Sequence, residues 1–133
     1  MVPASTSQIL IIFRKKGEKY FRNLERKIAL KKLKQENSII ALGGGAFIDS
    51  HIRREVLKNC ISFWLDVKIE VVLNRSRSLK KRPLLNRGNL KSAFHDIYER
   101  RKKVYSLADF RINCTRLGKL KVTRKIIKIY ESQ

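Results

Sequence analysis

At 133 residues, 43% of them hydrophobic and with six Phe, four Tyr and one Trp, the chain can close one apolar core and is too apolar to read as disordered. Its 32 Lys plus Arg against 11 Asp plus Glu give a formal +21, which predicts attraction to polyanions and salt-dependent, non-specific nucleic-acid binding. No apolar run nears the ~20 residues of a membrane span, no basic stretch precedes the short apolar start of a secretion signal, and Cys60 and Cys114 have neither disulfide-framework nor zinc spacing.

Taken in chain order, Ile9, Ile12, Phe13, Tyr20, Phe21, Leu24 and Ile28 recur at helical spacing. Ser7 is placed to cap this stretch and Gly17 to mark a turn between two helical pieces. Lys27, Lys31, Lys32 and Lys34 read as a solvated helix face. Ile39-Ile40-Ala41-Leu42 is a short continuous apolar run that stops at Gly43-Gly44-Gly45, the pattern of a strand buried on both faces. A helix is predicted over Asp49–Lys58, with Ile52, Val56 and Leu57 inward. A second strand follows at Ile61–Leu65, bearing Trp64 as a core residue, and then a helix over Lys68–Arg75. Ser76 to Asn89 is polar and basic, punctuated by Pro83 and Gly88, and reads as a mobile excursion. A helix over Leu90–Val104, a third strand at Phe110–Asn113 and a final helix through Val122, Ile126, Ile127 and Tyr130 complete the chain. Strands alternating with helices predict an α/β domain with a parallel sheet.

Three patches carry chemistry. On one helical face lie Glu18, Arg22 and Glu25, spaced i, i+4 and i+7. They read either as a surface ion pair or as an arginine braced by carboxylates so that its planar fork grips a ligand carboxylate. The glycines Gly43, Gly44 and Gly45 stand at the carboxyl end of an apolar run, where parallel sheets place ligand sites. Their N–H groups can cradle an anion or hydroxyls, and a flexible turn is the plainer reading. Third comes Lys80-Lys81-Arg82-Pro83-Leu84-Leu85 with Glu99-Arg100-Arg101-x-x-x-Tyr105. This reads either as a solvated basic loop or as a lid whose arginines stabilise negative charge. The basic residues are scattered along the chain, and aromatics do not interleave with them in an RNA-binding pattern.

In this order, Gly-Glu-x-x-Phe-Arg-x-x-Glu, Ile-Ala-Leu-Gly-Gly-Gly-Ala-Phe, Ser-Phe-Trp-Leu-Asp-Val, Arg-Pro-Leu-Leu and Glu-Arg-Arg-x-x-x-Tyr closely resemble the shikimate kinase family from Ile9 to Tyr130. The resemblance implies a P-loop kinase fold of the nucleoside-monophosphate-kinase type. It implies transfer of the ATP γ-phosphate to the 3-hydroxyl of shikimate with Mg²⁺, in aromatic amino-acid (chorismate) biosynthesis in the cytoplasm. Carried over by residue, Arg22 resembles the arginine that grips the shikimate carboxylate and Glu25 the acid that orients it. Gly43, Gly44 and Gly45 resemble the backbone that meets the ring hydroxyls, and Arg101 the second carboxylate-binding arginine. Arg82, in a lid segment over 77–90, resembles the arginine that closes over the transferring phosphate. Arg116 lies near the adenine-contacting loop. Lys103 stands where the family usually has proline, and His51 and His95 match nothing catalytic.

Phosphoryl transfer needs a Gly-rich loop with Lys at the β/γ-phosphates and Ser/Thr on Mg²⁺. Neither Gly-x-x-x-x-Gly-Lys-Ser/Thr nor Asp-x-Asp occurs in these 133 residues. Residues 1–133 are therefore expected to form a single domain without the family's first βαβ unit, with impaired activity and a tendency to self-associate. The other function class open at this point is a non-catalytic module that binds an acidic ligand, a partner chain or nucleic acid on the same scaffold.

Overall fold

A computed structural model of the chain describes residues 6–74 and 90–133. Its elements are α1 (Thr6–Leu33), α2 (Ser50–Asn59), β1 (Phe63–Asp66), α3 (Ile69–Asn74), α4 (Leu90–Tyr105), β2 (Phe110–Asn113) and α5 (Lys119–Glu131). Apart from Leu90, which opens α4, the expected lid segment over 77–90 lies outside the described residues.

The expected break in the first helix is at Gly17, which takes φ 84° and ψ 170° between two helical runs. A positive φ is a glycine conformation, because a Cβ there crowds the carbonyl oxygen. Phe13 packs on Phe21 across the break, with ring centres 4.8 Å apart. Ser7 lies inside α1, which starts at Thr6, so it is not the residue that precedes the helix.

Ala29 and Leu33 of α1 enter the core, where they join Ala46, Phe47, Ile52 and Val56. Ile40, Leu42, Cys60, Val104 and Tyr105 pack against that cluster. Helix α2 presents Ile52 and Val56, one turn apart, as a buried stripe. Leu57, expected inward, is 39% exposed because it stands five residues from Ile52 and off that stripe. Trp64, expected in the core, is half-buried.

Asp49 caps α2, its Oδ1 accepting from the amides of His51 at 2.9 Å and Ile52 at 3.2 Å. Burial pushes its carboxyl upward, but the hydrogen bonds from Arg26, Ile52 and His51 outweigh this and hold it below the ordinary value. The stabilisation is thus complete above about pH 4 and is lost as pH falls through the lower folded value. Asp49→Ala is expected to cost about 1–2 kcal/mol at neutral pH. Denaturant unfolding at neutral and acidic pH checks this: the difference from the parent should shrink below about pH 4.

Strands β1 and β2 pair in parallel, Phe63 opposite Phe110 through Asp66 opposite Asn113. Parallel neighbours need a crossover, and α3 and α4 lie in the connection between them. Asp109 fixes the start of the ladder, its Oδ2 accepting from Ser62 N at 2.8 Å and Ser62 Oγ at 2.7 Å. The expected strand at Ile61–Leu65 is observed two residues in, at Phe63, and runs one residue further, to Asp66. The strand expected at Ile39–Leu42 is not formed. Ile40 and Leu42 pack on the core, but Ile39 is fully exposed, and no described strand pairs with the segment.

Cys114 is buried and Cys60 half-buried, and burial pushes both thiols above their ordinary values. No helix among the described residues is long and apolar enough to cross a membrane.

Candidate functional site

The glycine triplet leads from Leu42, packed on the core, into Ala46 and Phe47, buried within it. Between these anchors the chain turns tightly, with Ala46 N donating to Gly43 O at 2.9 Å. Each of the three glycines leaves room for a different side chain. A Cβ on Gly43 would stand 3.3 Å from Glu25 Oε1, and one on Gly44 would stand 2.7 Å from Arg101 Nη1. On Gly45 a Cβ would meet Arg22 Cζ at 2.7 Å. The backbone loop is therefore flanked by two guanidinium groups and one carboxylate, drawn from α1 and α4.

Arg22 is held by Glu25, whose Oε2 accepts from its Nη1 at 2.7 Å, and Glu18 lies 3.7 Å from its Nε. The spacing read in the sequence makes this possible, since residues three and four apart are neighbours on a helix. Arg101 comes from α4, one turn before Tyr105. The Tyr105 hydroxyl donates to the carbonyl oxygen of Gly44, and its ring lies 6.4 Å from that of Phe47. Unlike Arg22, neither Arg100 nor Arg101 has an ion pair with an acidic residue among the described residues.

A cavity of about 740 Å³ opens between α1 and α4, lined by Arg22, Arg26, Gly45, Arg100 and Arg101 among others. Sequence reading missed Arg26, and it named Arg100 in the basic patch without giving it a role of its own. Arg26 is one turn beyond Arg22 on the same helix face, a signal that was legible. Its partner Asp49, 23 residues away and bonded to Arg26 Nε at 2.6 Å, was not. Arg116 is exposed after β2 and does not line this cavity. Arg82 lies outside the described residues. His51 and His95 are both exposed, and His51 Nδ1 stands 3.5 Å from Asp49 Oδ1.

Chemically, two arginine forks beside a glycine loop suit a small organic acid. The forks match a carboxylate. Among the described residues no group of three or more His, Cys, Asp or Glu is placed to hold a metal ion.

Gly45→Ala is expected to displace the Arg22 guanidinium rather than the fold, because the far end of a side chain yields before the backbone does. The expected result is about tenfold weaker binding of an acidic ligand, roughly 1.4 kcal/mol, with the circular dichroism spectrum unchanged. Isothermal calorimetry on the variant checks this, and unchanged affinity would count against the loop geometry.

The sequence matches a family model described as shikimate kinase over residues 4–131. A shikimate kinase of Persephonella marina is 34% identical over 116 residues, 87% of this chain and 70% of the relative. One of Bartonella henselae is 33% identical over 125 residues, 94% of this chain and 60% of the relative. The chain thus spans 60–70% of the length of these two relatives. Among solved structures, a shikimate kinase from Acinetobacter baumannii in complex with shikimate superposes with a TM-score of 0.83 at 28% identity. That match covers 91% of this chain and 68% of the other. A shikimate kinase from Bacteroides thetaiotaomicron shares the fold, with a TM-score of 0.78 at 23% identity over 93% of this chain and 73% of the other.

Proposed function

This chain belongs to the shikimate kinase family, and from that premise we propose that Arg22, Glu25, Gly43, Gly44, Gly45 and Arg101 form its shikimate-binding site. One observation carries the reading: both guanidinium groups and the Glu25 carboxylate press on successive glycines of a single loop. Arg22 and Arg101 grip the carboxylate of the acid, Glu25 holds the Arg22 fork in register, and the loop backbone takes ring hydroxyls. The resemblance to a structure solved in complex with shikimate supports the same assignment.

The reaction served is transfer of the ATP γ-phosphoryl group to the shikimate 3-hydroxyl, a cytoplasmic step of aromatic amino-acid biosynthesis. ATP supplies the group transferred, and Mg²⁺ neutralises its charge. These 133 residues bring the acid-binding side of that reaction. Arg82 as the lid arginine and Arg116 on the nucleotide side are proposed on the sequence resemblance alone.

Shikimate binding followed by isothermal calorimetry tests the site. Loss of a charge-assisted grip is worth about 2–3 kcal/mol, so Arg22→Ala should weaken binding by roughly 30- to 150-fold. An Arg22→Ala chain that binds shikimate as the parent does would overturn the assignment.

A further inference from the structure

Asp66, the last residue of β1, is a buried charge: it is 5% exposed. A carboxylate in that position is costly unless it is paired and hydrogen-bonded. Its Oδ1 accepts from the Tyr98 hydroxyl at 3.1 Å, and its Oδ2 accepts from Arg111 Nε at 2.9 Å and from Arg111 Nη2. The Arg111 guanidinium also lies 5.0 Å from the ring centre of Trp64. Three elements meet here, since Asp66 is on β1, Arg111 on β2 and Tyr98 on α4.

The consequence for α4 follows from helical spacing. Tyr98, Arg101 and Tyr105 stand at i, i+3 and i+7, on one face. That face is tied down on both sides of Arg101, by Tyr98 to Asp66 and by Tyr105 to the Gly44 carbonyl. Lys102, the neighbour of Arg101, lies over the Tyr98 ring at 5.9 Å and points along the same turn. Apolar residues of similar volume often hold elements together as firmly as a buried charged group. What a bidentate pair and a hydroxyl add is direction. Burial, and then the charge of Asp66, push the Tyr98 phenol above its ordinary value, so it remains a donor through neutral and mildly basic pH.

We propose that Asp66, Arg111 and Tyr98 are a positioning network that fixes the height of Arg101 beside Gly44, and so tunes the grip on the ligand carboxylate. This rests on the reading above that Arg101 binds that carboxylate. The network touches no ligand and acts through α4.

Shikimate affinity of the 133-residue chain, measured by calorimetry in a double-mutant cycle, tests it. Tyr98→Phe keeps the ring and removes one hydrogen bond. It is expected to weaken binding by about 3- to 10-fold. That factor should vanish in an Arg101→Ala background and persist in an Arg22→Lys background, a selectivity that a general loosening of the fold would not produce. Arg111→Lys, which keeps the charge but loses the fork, should fall between the parent and Tyr98→Phe. If Tyr98→Phe binds as the parent does while Arg101→Ala is weakened, the network is overturned and the site stands. Equal losses in both backgrounds would make the network merely structural and overturn it as well. If Arg101→Ala leaves affinity unchanged, or the parent chain binds no shikimate, the site reading itself fails and takes this proposal with it.

Discussion

Incubated with ATP, Mg²⁺ and shikimate, the 133-residue chain is expected to make no shikimate 3-phosphate above background. Phosphoryl transfer is catalysed almost wholly by positioning and by electrostatic clamping of the phosphates. The clamp is a Gly-rich loop ending in Lys-Ser/Thr, and no such loop occurs in these residues. Loss of a single preorganised donor at a developing charge costs about 10²–10³ in rate. Loss of the loop and its lysine together should therefore lower turnover by at least about 10³-fold. A coupled assay for ADP release, run beside a full-length relative, measures this. Turnover well above background, and abolished by Arg82→Ala, would show that the basic residues of the chain clamp the phosphates unaided.

The same chain, purified alone, is expected to self-associate. Strand β1 pairs with β2 on one side only among the described residues, and Leu65 in that strand is 48% exposed. Ile39, Leu120, Ile127 and Tyr130 are also exposed, and α5 buries none of its residues although its apolar side chains recur at helical spacing. Unpaired strand edges beside apolar surface recruit other chains. A formal +21 opposes association by mutual repulsion. Salt screens that repulsion, so assemblies should grow from low to moderate ionic strength. Light scattering coupled to size exclusion should show masses above the 15.6 kDa of the monomer and a broad thermal transition. Adding a P-loop-bearing βα fragment of a relative should convert the assemblies to a one-to-one complex with a sharp transition. A monomer at all salt concentrations, with one cooperative transition, would sink the expectation.

Local patterns were legible in the sequence wherever one element could be read without its neighbours. Ile52 and Val56 announce the buried stripe of α2, and Gly17 announces the break in α1, because both are properties of a few adjacent residues. The run Ile39–Leu42 misled. Four consecutive apolar residues report that both faces are suited to burial, but a strand is made by its partner's hydrogen bonds, and none is paired to it among the described residues. At the candidate site the two arginines and the glycines were found by motif. What motif could not give was that Glu25, Arg101 and Arg22 each face a different glycine. The network of Asp66, Tyr98 and Arg111 was missed because its members are 32 and 45 residues apart. Its trace in the sequence is slight: one charged residue in each of two short strands, Phe63–Asp66 and Phe110–Asn113.

Trp64 is the single tryptophan of the chain, with the Arg111 guanidinium 5.0 Å from its ring centre and the Tyr105 ring 6.1 Å away. The molecule therefore carries its own optical gauge. Light absorbed by Tyr105 passes readily to an indole at that distance, and a cation over the indole face shifts the colour of what it emits. Tyr105 reports the glycine loop and Arg111 reports the buried carboxylate, so one emission band registers both of the contacts that tie down α4 without any label attached.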